Sequence, residues 1–176
     1  MTKTIKILAI SGSLRPNSSN TLLLQAIAKL VPSYVEFSIY EGLGNIPLFN
    51  DSDEAPTPVK DFRWHIASAA GVLLCSPEYA FGVSGVLKNA LDWTVSSSEF
   101  LDKPVAVITA AVNGEKAHAS LLNTFEALAA QVVDGGDLII PFIRAKISKE
   151  GEITDHPTLL AVTSVFNSLI WSIQKS

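Results

Sequence analysis

Short apolar runs alternate along the chain with longer stretches in which apolar residues recur every three or four positions. The runs, together with one segment of alternating polarity, predict five β-strands, at 5–10, 34–40, 72–76, 105–110 and 138–142. The periodic stretches predict five helices, at about 20–31, 56–70, 85–96, 121–132 and 157–174. Because strands and helices alternate, we expect one parallel sheet covered by helices on both faces.

The fourth helix is predicted from an apolar stripe with spacings of four, three and four residues, formed by Leu121, Phe125, Leu128 and Val132. Such a stripe gives a helix one face that packs on a core. The pair Gly135 and Gly136 follows the stripe, and glycine commonly ends a helix. We therefore expect the helix to stop at this pair and the last strand to begin after it.

Composition narrows the function classes. The 176 residues fit one domain over residues 1–176, and the net charge of -4 argues against a nucleic-acid partner. The single cysteine, Cys75, excludes an internal disulfide, and its place in an apolar strand predicts an inert core thiol. The first apolar run is too short for a signal peptide or a membrane span, so we expect a cytoplasmic protein with no membrane partner.

The histidines give no sign of a metal centre. His65, His118 and His156 are dispersed along the chain, without the spacing that is typical of metal ligands. No metal site is predicted.

The first predicted strand ends in small and hydroxylated residues, and a helical pattern begins directly after them. The N-terminus of a helix has N–H groups without intrahelical partners and the positive end of the helix dipole, so it can bind a phosphate. Ser13, Ser18 and Asn20 add short polar side chains, and Arg15 is the cation of the segment. We interpret residues 12–20 as a phosphate-binding turn, although its serines could simply cap the helix.

This turn differs from two better-known phosphate-binding motifs. It lacks the Gly-Lys-Ser/Thr of a P-loop and the Gly-x-Gly-x-x-Gly of a dinucleotide-binding turn. A serine hydrolase that uses Ser11 or Ser13 is another interpretation. It would need a base, and the histidine nearest in sequence, His65, lies outside any recognisable nucleophile elbow.

A second candidate loop, at 77–84, follows the third predicted strand. The carboxyl ends of parallel strands meet at one edge of a sheet, so this loop lies beside the phosphate-binding turn if strands one and three are neighbours. Its backbone groups suit the edge of a flat heteroaromatic ring, and Tyr79 or Phe81 can cover a face of such a ring. Glu78 is expected to contribute only its backbone.

Two motifs together carry a family resemblance. The segments GSLRxxSxN at 12–20 and PEYxxxxxGxLKNAxDW at 77–93 resemble the NADPH-dependent FMN reductase family, and IPLFN at 46–50 is similar to a loop of that family. The resemblance covers nearly the whole chain. It implies a flavodoxin-like α/β fold, a three-layer sandwich with a five-stranded parallel sheet in the order 2-1-3-4-5, with FMN at the switch between strands one and three.

The resemblance also implies which residues bind the cofactor. The FMN phosphate would lie on four residues of the first motif: Ser13, Arg15, Ser18 and Asn20. Arg15 could instead contact the 2′-phosphate of NADPH, or be a solvated cation of the loop. The flavin ring would lie against the start of the second motif, mainly through backbone groups: Pro77, Glu78, Tyr79 and Ala80. No protein side chain is assigned a catalytic role, because the flavin carries the chemistry.

Two departures from the family pattern concern the ring. The family usually has Asn after Pro-Glu-Tyr, whereas this chain has Ala80, so any side-chain contact there is lost. The family's third loop is rich in Ser and Gly, whereas residues 109–115 read TAAVNGE. That loop normally borders the ring, so flavin affinity or substrate choice would differ here.

The helix that carries the end of the second motif, Lys88 to Trp93, helps to form a dimer in the family, so the resemblance implies a homodimer or homotetramer. In this helix Asn89 is polar among apolar neighbours, which predicts a buried hydrogen bond, and Trp93 is expected in the core or at a subunit interface.

The function implied is an oxidoreductase that takes a hydride from NADPH or NADH onto bound FMN and reduces a small-molecule acceptor. The acceptor classes are quinone-like compounds, azo compounds, metal oxyanions and free flavin. The alternative is a non-enzymatic electron carrier of the flavodoxin type, which would oxidise no nicotinamide. Arg15 in the phosphate-binding turn and the only mildly acidic charge favour the enzyme.

Overall fold

The computed structural model describes residues 4–52 and 54–175. Its strands are β1 Ile5–Ser11, β2 Val35–Ile39, β3 Gly71–Ser76, β4 Glu78–Tyr79, β5 Gly82–Val83, β6 Pro104–Ala111 and β7 Gln131–Pro141. Its α-helices are α1 Ser19–Ala28, α2 Thr57–Ser68, α3 Gly85–Asp92, α4 Glu115–Ala127 and α5 His156–Lys175. Short 3₁₀ helices lie at Gly42–Asn45 and Ile143–Ala145.

Five of the strands form one parallel sheet in the order β2-β1-β3-β6-β7. Numbered among themselves these strands have the order 2-1-3-4-5, which confirms the predicted flavodoxin-like topology. The two-residue strands β4 and β5 pair with each other as an antiparallel hairpin outside this sheet, and the sequence pattern did not predict that hairpin.

The helices cover both faces of the sheet, as expected. Helices α1 and α5 contribute apolar side chains to one core cluster, and α2, α3 and α4 contribute to the other. Successive residues of β3 point to opposite faces, so Leu73 belongs to the α1–α5 side and Leu74 to the other side, both fully buried. This double coverage is the reason that the central strands are apolar over most of their length.

The predictions for the fourth helix and the fifth sheet strand are wrong in their boundaries. Helix α4 ends at Ala127, and the N–H of Ala130 donates to the carbonyl of Phe125, which closes the helix end. Val132 lies in β7, yet it packs against the same core as α4. The apolar spacing therefore continues past the end of α4 into β7, because the helix and the strand pack on the same core.

The glycine pair lies inside β7 and does not end the helix. Val105 of β6 pairs with Val132, whereas Val107 pairs with Asp137, so β7 carries extra residues at a bulge that includes Gly135. Gly135 has φ +68, a left-handed conformation that glycine adopts without strain. A bulge on this edge strand also interrupts the row of backbone groups that another strand could pair with.

Helix α3 is shorter than predicted and ends at Asp92, with Trp93 as its C-cap. Trp93 is 1% exposed and belongs to the core, and its Nε1 donates to the Pro47 carbonyl over 2.8 Å. Asn89 is half-buried, donates to the same carbonyl and accepts from the N–H of Phe49. The prediction that Asn89 is hydrogen-bonded is confirmed, but its bonds are exposed to solvent and are not buried as expected. These bonds fix the long segment before α2 onto α3.

Within residues 4–52 and 54–175 no helix combines the length and the apolarity that a membrane crossing requires.

Candidate functional site

The turns after β1 and β3 lie side by side at the carboxyl edge of the sheet. Ser11 is paired in register with Cys75, and the N–H of Gly12 donates to the Cys75 carbonyl over 2.8 Å. Further out, the hydroxyls of Ser13 and Tyr79 are 3.5 Å apart. The two loops that the sequence singled out therefore face each other across one edge.

Gly12 allows this close approach. A Cβ atom at residue 12 would lie 2.6 Å from the Oγ of Ser76 and 3.1 Å from its Cα. Part of that contact is backbone, which cannot move aside as a side-chain end can. Any larger residue would therefore push the two turns apart.

Ser18 caps helix α1. Its backbone is extended, and its Oγ accepts from the N–H of Asn20 over 3.3 Å. Ser13, at the other end of the turn, is 8% exposed, and its Oγ accepts from the N–H of Arg15 over 3.3 Å. Ser18 thus caps the helix, as the alternative interpretation of the turn expected, whereas Ser13 bonds to the backbone within the turn. These hydrogen bonds do not exclude a ligand, because the serine hydroxyls carry no charge and the side chain of Arg15 remains exposed.

Asn20 links three elements of the site. Its Nδ2 donates to the carbonyl of Ala110 in β6 over 3.1 Å, and its Oδ1 accepts from the Cys75 thiol in β3. Burial raises the pKa of Cys75 far above its ordinary value, in agreement with the predicted inert thiol. Much of the Asn20 amide is therefore used to hold the start of α1 against the sheet.

A cavity of about 500 Å³ opens between these elements, within the range of about 300–1,000 Å³ that is usual for ligand pockets. Its lining residues come from four loops: Arg15, Ser18–Asn20, Pro77–Tyr79, Ala110–Val112 and Phe142–Ala145. Six of the eight residues predicted to bind the cofactor are among them. Ser13 lies behind the lining and is bonded to Tyr79, and Ala80 is not part of the lining.

Two parts of the lining were not predicted as site residues. Ala110–Val112 belong to the third loop. The resemblance places this loop beside the flavin ring, but its residues do not match the Ser- and Gly-rich pattern of the family. Phe142–Ala145 follow β7 and contribute a second arginine, Arg144. The sequence contains one indication of Arg144, which is that this residue follows a strand. Every loop at the carboxyl ends of these parallel strands reaches the same edge of the sheet.

Ala80 lies at the tip of the β4–β5 hairpin. Ala80 and Phe81 have φ +48 and +61, the pair of left-handed residues that a two-residue type I′ turn requires. Asn and Gly adopt this conformation with the least strain. The turn holds Glu78 and Tyr79 at the cavity while Ala80 itself stays exposed and away from it.

The side chain of Glu78 has a definite partner, so the expectation that only its backbone matters is wrong. Its Oε2 accepts from the N–H groups of Lys116 and Ala117, over 3.1 and 3.0 Å, in the first turn of α4. Helix α4 has Gly114 with φ +106 at its N-cap and no capping side chain of its own. Glu78 supplies that cap from a distant part of the chain and joins the second loop to the third.

A chain of polar contacts runs from the buried Thr109, next to the cavity-lining Ala110, through His118 to the exposed Asp137. The Oγ1 of Thr109 is 2.9 Å from the Nδ1 of His118, and the Nε2 of His118 is 3.4 Å from a carboxylate oxygen of Asp137. Thr109 is fully buried and His118 is 5% exposed, so no substrate reaches this hydroxyl. These contacts satisfy buried polar groups between β6, α4 and the β7 bulge.

The hydrolase interpretation finds no support in the geometry. The Oγ of Ser11 is 2.8 Å from that of Thr21, and the partners of the Ser13 hydroxyl are Tyr79 and backbone. Among the residues that the structure describes, neither serine is hydrogen-bonded to a histidine. Those residues also contain no group of three His, Cys, Asp or Glu side chains that could hold a metal ion.

Comparison with known proteins agrees with this geometry. The sequence model of the family described as NADPH-dependent FMN reductase matches residues 5–145. The chain belongs to that family. An NAD(P)H-dependent FMN reductase from Pseudomonas aeruginosa is 32% identical over 163 residues, which is 88% of each chain. A 2-hydroxy-1,4-benzoquinone reductase from a Burkholderia species is 33% identical over 163 residues, again 88% of each chain.

A solved structure resembles the fold over its full length. The flavoenzyme FerB from Paracoccus denitrificans, an NAD(P)H:(acceptor) oxidoreductase, superposes with a TM-score of 0.78 at 25% identity. The match covers 97% of this chain and 98% of that one. Family and fold together make this chain an FMN-dependent NAD(P)H oxidoreductase. The described residues fit FMN, because the cavity joins a helix N-terminus and an arginine to a largely apolar wall.

Proposed function

We propose that this enzyme holds FMN in the cavity between the four loops and reduces quinone-like acceptors at the expense of NADPH or NADH. When bound, FMN accepts a hydride from the nicotinamide and delivers two electrons to the acceptor. The chain's own residues bind and orient the cofactor and leave one face of it accessible. The observation that carries the proposal is the difference between the two helix N-termini at the cavity.

The N-terminus of α4 is already neutralised by a protein carboxylate, since Glu78 accepts from its first-turn amides. The N-terminus of α1 is capped only by the neutral hydroxyl of Ser18 and lies in the cavity with Arg15. A phosphate is a dianion and is stabilised where the helix dipole and a guanidinium act together. We therefore assign the FMN phosphate to Arg15, Ser18 and the start of α1, with Ser13 positioning the turn.

The ring end is assigned to the second and third loops. Pro77 and Glu78 offer backbone groups to the ring edge, and the exposed ring of Tyr79 forms one wall. Ala110, Ala111 and Val112 form an apolar wall with small side chains. Because these residues are small and apolar, they exclude water from one side and add no hydrogen bonds that would restrict the acceptor.

The open side of the cavity suits two substrates in turn. Tyr79, Val112 and Phe142 line it and are 53%, 65% and 61% exposed, so a flat apolar acceptor could pack on them after the nicotinamide leaves. This arrangement predicts ping-pong kinetics. Quinones fit it best, and the Burkholderia relative is named for a benzoquinone.

We propose that two or four copies of the chain assemble. Apolar side chains are exposed on the segment that packs on α3 and at the tip of the β4–β5 hairpin, with Leu48 at 84% and Phe81 at 65%. Exposed apolar surfaces of this kind favour a protein partner. We also place the enzyme in the cytoplasm, where both nicotinamide cofactors are available. Size-exclusion chromatography with light scattering tests the assembly, and a monomer at micromolar concentration would refute it.

The function is tested on purified protein incubated with FMN. We expect a yellow complex that loses its absorbance band when NADPH is added without oxygen, and continuous NADPH oxidation when benzoquinone is present. Ping-pong behaviour appears as parallel lines in double-reciprocal plots. A protein that binds no FMN at micromolar concentration would refute the assignment, and one that binds FMN but oxidises no nicotinamide would be an electron carrier.

A further inference from the structure

The cavity is lined by two arginines, and the proposed FMN phosphate needs only one of them, Arg15. Arg15 comes from the turn after β1, and Arg144 comes from the 3₁₀ helix after β7. Neither forms an ion pair with any residue in the described part of the chain. Because the fold gives neither guanidinium a carboxylate partner, both remain available to an anionic ligand in the cavity.

The local charge is opposite to that of the whole protein. The chain has a net charge of -4, whereas the cavity lining holds Arg15, Arg144 and one acidic residue, Glu78. The carboxylate of Glu78 accepts from the first turn of α4 and, among the described residues, forms no ion pair with either guanidinium. Cationic side chains therefore outnumber acidic ones in the lining of an acidic protein, which favours an anionic ligand.

Arg144 is held on a firm support. Ile143, the preceding residue, is 4% exposed and belongs to the core beside α1 and α5, and Ile147 is 8% exposed in the same core. The N–H of Ala145 donates to the carbonyl of Phe142, which closes the turn. These contacts fix the backbone on both sides of Arg144 and direct the residue to the cavity without using its guanidinium.

We infer that Arg144 binds the 2′-phosphate of NADPH and so sets the preference for NADPH over NADH; this inference rests on the proposed placement of FMN. Once the FMN phosphate occupies Arg15 and the start of α1, the second dianionic phosphate in the reaction is the 2′-phosphate monoester. A guanidinium binds such a monoester through two parallel hydrogen bonds. The diphosphate, by contrast, is present in both NADPH and NADH, so contacts with it cannot distinguish the two coenzymes. The chain also lacks the glycine-rich turn that binds a diphosphate in dinucleotide-binding folds.

The first test compares coenzymes. Arg144→Ala and Arg144→Gln are each compared with the wild type for kcat/KM with NADPH and with NADH, using benzoquinone as acceptor. We expect the ratio of the NADPH value to the NADH value to fall about 10- to 100-fold in both variants, the usual size of a lost charge-assisted pair. Lys149→Ala is the matched control, since Lys149 is exposed, close in sequence and outside the lining. Its ratio should stay at the wild-type value.

The second test measures binding without turnover. Calorimetric titration of the FMN-loaded wild type with 2′,5′-ADP and with 5′-AMP should show tighter binding of the 2′-phosphorylated compound, and FMN-loaded Arg144→Ala should lose that difference. Equal binding of the two compounds by the wild type, or an equal loss of NADPH and NADH activity in the variants, would overturn the inference. So would a rise of more than tenfold in the Kd for FMN, since Arg144 would then hold the flavin phosphate.

Failure of the proposed function looks different from failure of this inference. If the wild type binds no FMN, the flavin assignment fails and the inference that rests on it fails with it. If the wild type binds FMN and oxidises NADPH but shows no dependence on Arg144, only the inference fails.

Discussion

Two strand–turn–helix units meet at the cavity, and their helices begin in opposite ways. Helix α1 follows β1 and is capped by Ser18, the residue directly before it. Helix α4 follows β6 and begins at Gly114 without a capping side chain, and Glu78 serves its amides from 38 residues away in sequence. The same physical need, partners for the first N–H groups of a helix, is met locally in one unit and by tertiary structure in the other.

The difference decides which helix can receive a ligand. A carboxylate at the start of α4 neutralises its dipole and fills the acceptor positions that a phosphate would take. A neutral hydroxyl at the start of α1 leaves the dipole uncompensated, with Arg15 exposed in the same cavity. The start of α1 is therefore the proposed site of the cofactor phosphate, and the start of α4 is proposed to act as a fixed wall of the cavity. Substitutions in each unit should separate these roles.

The largest expected effect concerns ligand binding at the α1 unit. Arg15→Ala should raise the Kd for FMN about 10- to 100-fold, because a charge-assisted pair with the phosphate is lost. The free energy of unfolding without FMN should change by less than about 0.5 kcal/mol, since exposed residues without structural partners are tolerated. Quenching of FMN fluorescence measures the Kd, and urea denaturation measures the stability.

Arg15→Lys and Lys29→Ala complete this comparison. The lysine keeps the charge but loses the fork geometry, so its Kd should lie between those of the wild type and Arg15→Ala. Lys29 is the exposed C-cap of α1, and its removal should leave the Kd unchanged. An unchanged Kd in Arg15→Ala would show that the phosphate lies elsewhere.

The next effect concerns stability at the α4 unit. Glu78→Ala should lower the free energy of unfolding by about 1–2 kcal/mol, because two helix amides lose a charged acceptor. Glu78→Gln keeps an oxygen acceptor but not the charge, so it should lose about half as much. Urea denaturation without FMN measures both. If both variants are as stable as the wild type, the cap from Glu78 does not support α4.

The contrast between the two units also explains what the sequence could predict. The phosphate-binding turn is contiguous in sequence, so its glycine, serines and arginine can be recognised as one motif. The parallel sheet could be predicted from the apolar runs. Glu78 is adjacent in sequence to the ring loop, and no local pattern shows that its carboxylate reaches Lys116 and Ala117. Arg144 was missed for the same reason, since only the sheet order brings the loop after β7 to the cavity.

The end of α4 shows the limit of apolar spacing. Leu121, Phe125 and Val132 all pack on one core, but the last of them does so from β7. A stripe records which side faces the core and not whether the backbone has changed from helix to strand. The break lies at Ala129, with φ +53, where alanine occupies a position that glycine usually marks.

A smaller effect is expected at the cap of α1. Ser18→Ala should lower the free energy of unfolding by about 1 kcal/mol, the usual effect of losing an N-cap, and should also weaken FMN binding. Ser18→Asp separates the two roles, because aspartate caps as well as serine but its charge repels a phosphate. We expect wild-type stability and a clearly higher Kd for FMN in Ser18→Asp. Unimpaired FMN binding in Ser18→Asp would show that this helix start is not the phosphate site.

The smallest effect concerns the turn that carries Glu78 to α4. Ala80 is in a left-handed conformation at φ +48, so Ala80→Gly and Ala80→Asn should each raise the free energy of unfolding by about 0.5–1 kcal/mol. Because Ala80 lies outside the cavity lining, neither substitution should change the Kd for FMN. Tighter FMN binding in Ala80→Asn but not in Ala80→Gly would instead mean that an asparagine side chain reaches the cofactor. In that case the hairpin would be part of the binding surface, and the absence of asparagine here would be a loss of affinity as well as of stability.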